Sequence, residues 1–232
     1  MEYNINGILV TIIQKNNIRN VNVCIKVPHG KVIITAPKII PIEEIKKIVL
    51  GREDWIRQQV EKIRAVTLLE IPVCETGAAL RVWGKMYILE VKEGQPINHL
   101  ELSEEKAVLS LKANTTDRQR EAFVQKWYRE QCKNAIREKL SFWEKVTGLP
   151  CASWQVRAMK TRWGSCNVRK RKINFNFWLV QADETCLDYV ILHELVHLTE
   201  ANHGARFVQI MDSHMPNWRR KKEILDGLSP IK

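Results

Sequence analysis

The sequence predicts an α+β protein in which strands come first and helices dominate the second half of the chain. β-branched runs of strand length fill the first forty residues, whereas stretches with a helical hydrophobic period lie mainly after residue 115. One of these late helical stretches carries the letters HELVH at 193–197, which adds a chemical signature to the pattern. Neither an internal repeat nor a low-complexity linker interrupts this order.

The N-terminal half is predicted to be rich in strands. Ile45, Ile56 and Val60 follow a helical period with charges between them, so 42–64 is predicted to be one amphipathic helix. Short β-branched or apolar runs predict strands on both sides of it, at 8–13, 21–27, 32–35, 80–83, 86–91 and 107–111. We expect these elements to form a β-rich subdomain over residues 1–112.

The C-terminal half is predicted to be mainly helical. A long run of good helix formers predicts a helix over 116–147, ended by Gly148. Strands at 154–159 and 173–179 and helices at 184–201, 204–213 and 217–226 are expected to follow. Thr185 and Asp188 resemble a capping box at the start of the first of these three helices. We expect residues 113–232 to form a catalytic subdomain, with the HELVH helix packed on a small sheet.

The composition is that of a globular protein without a membrane span. Hydrophobic residues make up 45% and charged residues 27% of the 232 positions, which is enough to bury a core. The most apolar stretch, 32–50, is broken by lysines, prolines and a glutamate pair, so no membrane helix is predicted. The N-terminus lacks the features of a secretory signal, and six scattered cysteines predict free thiols. We therefore expect a cytoplasmic protein.

The chain carries an excess of positive charge, with 37 basic and 26 acidic residues and a formal net charge of +11. Segment 151–182 concentrates this excess, because it contains seven Lys or Arg residues and no Asp or Glu. Such a segment favours an anionic partner, nucleic acid or a nucleotide included. A solvated hairpin turn explains the run RKRK at 169–172 equally well, so the partner stays open at this point.

The letters HELVH predict a metal site with a catalytic base. His193 and His197 lie four residues apart on a helix, so both imidazoles face one side and can bind one ion. Glu194 lies beside the open side of that ion, where it can take a proton from metal-bound water. We therefore predict a hydrolase with one zinc ion per chain. Another divalent transition metal, such as manganese or nickel, is compatible with the same residues.

A catalytic zinc ion needs a third protein ligand. His203 is the leading candidate, because Asn202 can adopt the left-handed conformation that ends a helix and returns the chain to the metal. Glu200 is the alternative, although a helical rise of ~1.5 Å per residue places it about one turn beyond His197. Cys166 is a candidate for the fourth position, where a thiol ligand would close the site and make the zinc structural.

Four segments of the second half resemble the YgjP-like metallopeptidase family, which is related to the SprT and wider zincin groups. They are RWGSC at 162–166, INFNFWL at 173–179, YVILHELVH at 189–197 and NHGARF at 202–207. The resemblance covers nearly the whole chain. It implies a zincin-like metallopeptidase unit with zinc on His193, His197 and His203 and with Glu194 as the general base.

Two departures from that family pattern occur beside the expected third ligand. Gly204 stands where Ser is common, and Val208 stands where Trp is common. Neither residue type binds the metal in the family pattern. We therefore expect the metal chemistry to be unchanged and only the wall of the cleft to differ.

Three further residues are candidates for substrate binding: Asn176, Arg162 and Tyr189. Asn176 lies in the predicted strand 173–179, and a strand along a cleft can pair with an extended peptide through main-chain hydrogen bonds. Arg162 suits an anionic group of the substrate. Tyr189 lies one turn before His193 and can donate a hydrogen bond to a developing oxyanion.

These observations favour a zinc metallopeptidase that acts on a peptide or protein and does not enter a membrane. A metal-dependent hydrolase of nucleotides or other phosphoanhydrides is one alternative, because segment 151–182 would attract such substrates. A nucleic-acid-associated module with a structural zinc is the other. A structural zinc usually has four protein ligands, and the sequence offers three unless Cys166 takes part.

Overall fold

A computed structural model of the chain describes residues 2–26, 31–64, 67–69 and 71–230. It divides the chain into two compact units, Met1–Leu68 and Leu69–Lys232. Each combines sheet and helix, so the predicted α+β class is confirmed. Among the described residues, no helix is both long and apolar enough to cross a membrane.

The first unit is a four-stranded sheet with two helices. In chain order, its elements are β1 (Glu2–Ile5), β2 (Ile8–Lys15), β3 (Asn22–Lys26), β4 (Lys31–Pro37), α1 (Ile42–Leu50) and α2 (Glu53–Arg64). The strand order is β1-β2-β4-β3, and only the β2–β4 pair is parallel. One face of the sheet and the two helices share a core, with Val10, Ile34, Ile45 and Ile56 fully buried.

Two predictions for this unit need correction or restriction. The single helix predicted over 42–64 is two helices, because α1 ends at Gly51, whose N–H donates to the Lys47 carbonyl. Glycine is a poor helix former, and an interruption at this position is consistent with that preference. Val27, the last residue of the predicted strand 21–27, lies outside the described residues.

The second unit begins with a sheet that the sequence analysis assigned to the N-terminal subdomain. After β5 (Thr67–Leu69) come β6 (Ala79–Val82), β7 (Lys85–Lys92), β8 (His99–Leu102) and β9 (Lys106–Ser110), and the last four form a sheet in the order β6-β7-β9-β8. Leu80, Leu89 and Leu109 share one buried cluster with Tyr128 and Ile191 from the later helices. The unit boundary therefore falls at 68/69, whereas 112/113 was predicted, because these strands pack into the core of the second half.

A long helix, α3 (Asp117–Thr147), runs through the second unit. Thr116 caps its start and forms a capping box with Gln119. The helix ends before Gly148, which adopts the left-handed conformation with φ 69°. Its buried residues recur every three or four positions and form one stripe: Val124, Tyr128, Cys132, Ile136, Leu140 and Trp143. The helix predicted over 116–147 is thus confirmed.

The remaining elements include a small three-stranded sheet. They are β10 (Ser153–Arg157), β11 (Gly164–Asn167), β12 (Lys172–Asn176), a short 3-10 helix (Phe177–Gln181), α4 (Glu184–Val196), α5 (Ala205–His214), α6 (Trp218–Asp226) and β13 (Leu228–Pro230). The order β10-β12-β11 places β12 in the centre and β11 at an edge. The predicted strand 173–179 ends at Asn176. The Asn176 side chain accepts a hydrogen bond from Trp178 N and thereby caps the start of the 3-10 helix.

Candidate metal centre

Helix α4 is held firmly in the second unit, and this fixes the position of His193 and Glu194. Asp183 caps its start, because its carboxylate accepts a hydrogen bond from Thr185 N at 2.9 Å. The capping box predicted from Thr185 and Asp188 is therefore wrong. Asp188 instead joins α4 to α3, where it accepts hydrogen bonds from Trp143 Nε1 at 2.9 Å and from Lys139 Nζ at 3.0 Å.

Three histidine side chains converge at the end of α4. The Nε2 atom of His193 lies 3.1 Å from the Nε2 atoms of both His197 and His203. The helix ends at Val196, five residues before the predicted end at 201, and the turn that follows returns His203 to the end of the helix. In the part of the chain that the structure describes, no other three His, Cys, Asp or Glu side chains converge in this way.

The geometry and protonation of these histidines fit a metal ion. Nitrogen ligands about 2.0–2.1 Å from a tetrahedral zinc ion lie about 3.3–3.4 Å apart, close to the observed 3.1 Å. Burial lowers the pKa of His193 to about 3, with smaller contributions from His197 and His203. Burial also lowers the pKa of His197. Neutral imidazoles at neutral pH are the form in which histidine binds metals.

A backbone contact orients the second histidine. His197 Nδ1 lies 2.9 Å from the Glu200 carbonyl oxygen, which only accepts hydrogen bonds, so Nδ1 donates and Nε2 carries the lone pair. The Glu200 carboxylate is engaged elsewhere, because its Oε1 atom lies 3.0 Å from Arg206 Nε. Glu200 is therefore not among the converging side chains, and its carbonyl supports His197.

Glu194 is buried directly against strand β11. Only 5% of its surface is exposed, and its Oε2 atom accepts no hydrogen bond from the described residues. Burial raises the pKa of Glu194 to about 8, while the positive charge of Arg162 opposes the shift. A Cβ atom at Gly164 would lie 2.7 Å from Glu194 Cγ, closer than real Cβ contacts, so only glycine leaves room for the carboxylate in its present position.

A cavity of about 520 Å³ opens between β11 and α4. Strand β11 and its approach form one wall, and α4 with the histidine turn forms the other; wall residues include Arg162, Gly164, Cys166, Tyr189, Glu194 and His203. Cys166 is partly buried and lies outside the converging group. Burial, and then the charge of Glu194, raise the pKa of its thiol to about 11, which favours the protonated form over a thiolate ligand.

Two of the three candidate substrate-binding residues, Asn176 and Tyr189, have contacts within the fold. Asn176 is 1% exposed, and its Nδ2 donates to the carbonyls of Met159 and Arg162, at 2.8 and 2.9 Å. It holds the segment before β11 and does not line the cavity, contrary to the expected contact with substrate. Tyr189 does line the cavity, but its ring stacks on Trp218 and packs edge-on against His193, with centroid distances of 6.0 and 5.6 Å.

The sequence analysis missed strand β11 and the contact between Gly164 and Glu194. The segment GSCN at 164–167 contains no residue with high β propensity, so nothing in its pattern predicts a strand. The adjacent small residues Gly164 and Ser165 were the one available signal, because a glycine in a strand often marks a close approach of another group.

A helix with HExxH, in which two histidines share one face and a glutamate lies beside them, is typical of metalloproteases. The chain belongs to the YgjP-like family: the model of the YgjP-like metallopeptidase domain matches residues 21–227. The resemblance found in the sequence is thereby confirmed, and the protein is a metallopeptidase, an enzyme class that acts on peptides or proteins with the help of a metal.

The chain is also similar to two solved structures, both crystal structures of metallopeptidase zymogens. Abylysin of Pyrococcus abyssi shares 21% identity, with 39% of this chain and 89% of that chain covered and a TM-score of 0.35. Jannalysin of Methanocaldococcus jannaschii shares 22% identity, with 40% of this chain and 92% of that chain covered and a TM-score of 0.33. None of the curated proteins compared with the chain matches it.

Proposed function

We propose that the protein is a zinc-dependent peptidase in which His193, His197 and His203 hold one zinc ion and Glu194 is the general base. The observation that carries this proposal is the convergence of three imidazole nitrogens on the wall of a cavity that also contains the Glu194 carboxylate, with those of His197 and His203 each 3.1 Å from that of His193. Three protein ligands are typical of catalytic zinc sites, in which water or substrate supplies the fourth ligand.

The chemistry divides between the ion and the chain. When bound, zinc acts as a Lewis acid that lowers the pKa of water and polarises the scissile carbonyl. Glu194 takes a proton from the attacking water, and Oε2 is the suitable atom because no described residue donates a hydrogen bond to it. Glu194 then returns the proton to the leaving amine nitrogen. Its burial supports the second step, because a raised carboxyl pKa favours holding the proton until the amine takes it.

The edge strand β11 supports a peptide as the substrate. Asn176 N donates to the Trp163 carbonyl at 2.9 Å, so this pair is hydrogen-bonded across the hairpin. Because antiparallel pairs alternate, Gly164 and Cys166 direct their main-chain groups away from β12, towards the open edge. An extended peptide can bind there as an added strand. The sequence analysis assigned this role to strand 173–179, but β12 is paired on both sides, so we assign it to β11.

The proposal is tested by offering three substrates to the zinc-loaded protein under one set of conditions: an unfolded protein, a nucleoside triphosphate and single-stranded DNA. We expect the unfolded protein to be cleaved, and we expect cleavage to stop with a chelator and return with added zinc. Hydrolysis of the triphosphate alone would instead support the phosphoanhydride alternative. Binding of DNA without any turnover would support the module with a structural zinc.

Substitution of Gly164 by alanine is expected to reduce peptide hydrolysis strongly without removing the zinc. The new methyl group would displace the Glu194 carboxylate, and a displacement of ~1 Å can reduce activity about 10²-fold. The histidines lie away from this contact, so zinc content should stay unchanged. The steady-state rate with a peptide and the zinc content of the purified protein measure the two effects.

Gly51→Ala is the matched control for this substitution, because a Cβ atom there would meet only ordinary contacts, the nearest at 3.5 Å from the Lys47 carbonyl oxygen. We expect this control variant to keep full activity. Full activity of the Gly164→Ala variant would show that Glu194 does not depend on the close approach of β11.

A further inference from the structure

One wall of the cavity belongs to a basic segment whose charges are not neutralised within the chain. Segment 151–182 contains no acidic residue and seven basic ones: Arg157, Lys160, Arg162, Arg169, Lys170, Arg171 and Lys172. In the described parts of the chain, none of the seven lies within 4.0 Å of a carboxylate oxygen, although thirteen such ion pairs occur elsewhere. Basic side chains that meet no carboxylate in the fold are available to an anionic ligand.

Arg162 is the member of this segment that reaches the cavity. It lines the wall of the cavity that also contains the Glu194 carboxylate. Its main chain is fixed, because its carbonyl accepts a hydrogen bond from the buried Asn176 side chain at 2.9 Å. Its side chain remains exposed. Arg162 thus combines a held backbone with a free guanidinium close to the expected site of peptide cleavage.

We propose that Arg162 forms a subsite for an acidic side chain of the peptide substrate, close to the scissile bond. This inference rests on the proposed peptidase function and adds a preference for Asp or Glu. A guanidinium presents several N–H donors in a planar fork that matches a carboxylate.

A peptide fits this place better than nucleic acid does. Arg162 is the only Lys or Arg among the described residues of the cavity wall, and Glu194 is its one carboxylate. A single guanidinium beside a carboxylate suits one acidic side chain on an otherwise neutral peptide. A polyphosphate backbone would bring several negative charges to a wall that offers one guanidinium. The run 169–172 does not extend the cavity wall, because none of its residues lines the cavity.

Peptide binding to the zinc-loaded Glu194→Gln protein tests the subsite without turnover. Short neutral peptides carrying a single Glu at successive positions are each compared with their Gln counterparts. At one or two adjacent positions, Glu is expected to lower the Kd about two- to five-fold, the range of an exposed ion pair. Adding Arg162→Gln should make the Kd values of the Glu and Gln peptides equal. Adding Arg162→Lys should keep part of the preference for Glu. Adding Arg169→Gln, at a residue that does not line the cavity, should leave the preference for Glu unchanged.

Several outcomes would overturn the subsite. Equal Kd values for all Glu and Gln peptides would do so, as would a Glu preference that survives Arg162→Gln or that Arg169→Gln removes to the same extent. Single-stranded DNA that binds more tightly than every peptide, and does so through Arg162, would assign the residue to nucleic acid. Turnover by the unmodified protein is scored separately: cleavage with equal Kd values rejects only the subsite, whereas a Glu preference without any cleavage rejects only the peptidase function.

Discussion

Glutamine in place of Glu194 is expected to lower the rate of peptide hydrolysis by about 10²- to 10⁴-fold, the usual contribution of general acid–base catalysis. The amide fills nearly the same space against Gly164 as the carboxylate does, but it accepts no proton at neutral pH. The substitution leaves His193, His197 and His203 unchanged, so the zinc content should stay at about one ion per chain. The kcat for a saturating peptide and the metal content of the same preparation measure the two effects.

The same variant also tests the burial of the carboxyl group. Burial raises the pKa of Glu194 from 4.5 to about 8, so the folded protein favours the neutral carboxyl. The stability that depends on this proton is fully present below pH 4.5 and is lost as the pH rises through 8. In metal-free protein, the advantage of the Gln variant over the unmodified protein should therefore grow across this interval. Thermal unfolding with a chelator present measures the difference.

Glu104→Gln is the matched control, because Glu104 is exposed on the turn between β8 and β9. We expect it to change neither turnover nor the pH dependence of unfolding. Undiminished turnover in the Glu194→Gln protein would remove Glu194 from the mechanism. Loss of zinc together with activity would show instead that the carboxylate helps to hold the ion.

The parts of the site that the sequence predicted are those governed by local geometry. His193 and His197 are four apart on a helix, and that spacing alone places them side by side. His203 required one further inference, that the helix would end before it, which Asn202 suggested. The structure ends the helix even earlier, at Val196, because i to i+3 hydrogen bonds such as Leu198 N to the Leu195 carbonyl tighten the turn.

The parts that the sequence did not predict depend on residues distant along the chain. Gly164 and Glu194 come together only because β11 joins the edge of a sheet beside α4. The sequence around either residue does not predict this contact. Asn176 was expected to contact the substrate, but its side-chain amide donates hydrogen bonds to the carbonyls of Met159 and Arg162. The division at 68/69 likewise follows from tertiary packing, because Leu80 and Leu109 meet a core that forms much later in the sequence.

Alanine in place of His203 is expected to release the zinc almost as completely as alanine in place of His197. Each change leaves two imidazoles, and a catalytic zinc site normally requires three protein ligands. Glu200→Gln is expected to keep the zinc, because Glu200 supports His197 through its main-chain carbonyl, which the substitution retains. Losing its ion pair with the exposed Arg206 should lower the free energy of unfolding by less than about 1 kcal/mol.

Metal analysis after dialysis against a weak chelator separates the two candidates for the third ligand. His99→Ala serves as the control for the loss of an imidazole, since His99 is exposed on β8 and should leave the zinc content unchanged. Full zinc in the His203→Ala protein together with loss from the Glu200→Gln protein would transfer the third position to Glu200. Such a result would require Glu200 to leave Arg206 and turn towards His193, so the ligand set proposed from the 3.1 Å contacts would be wrong.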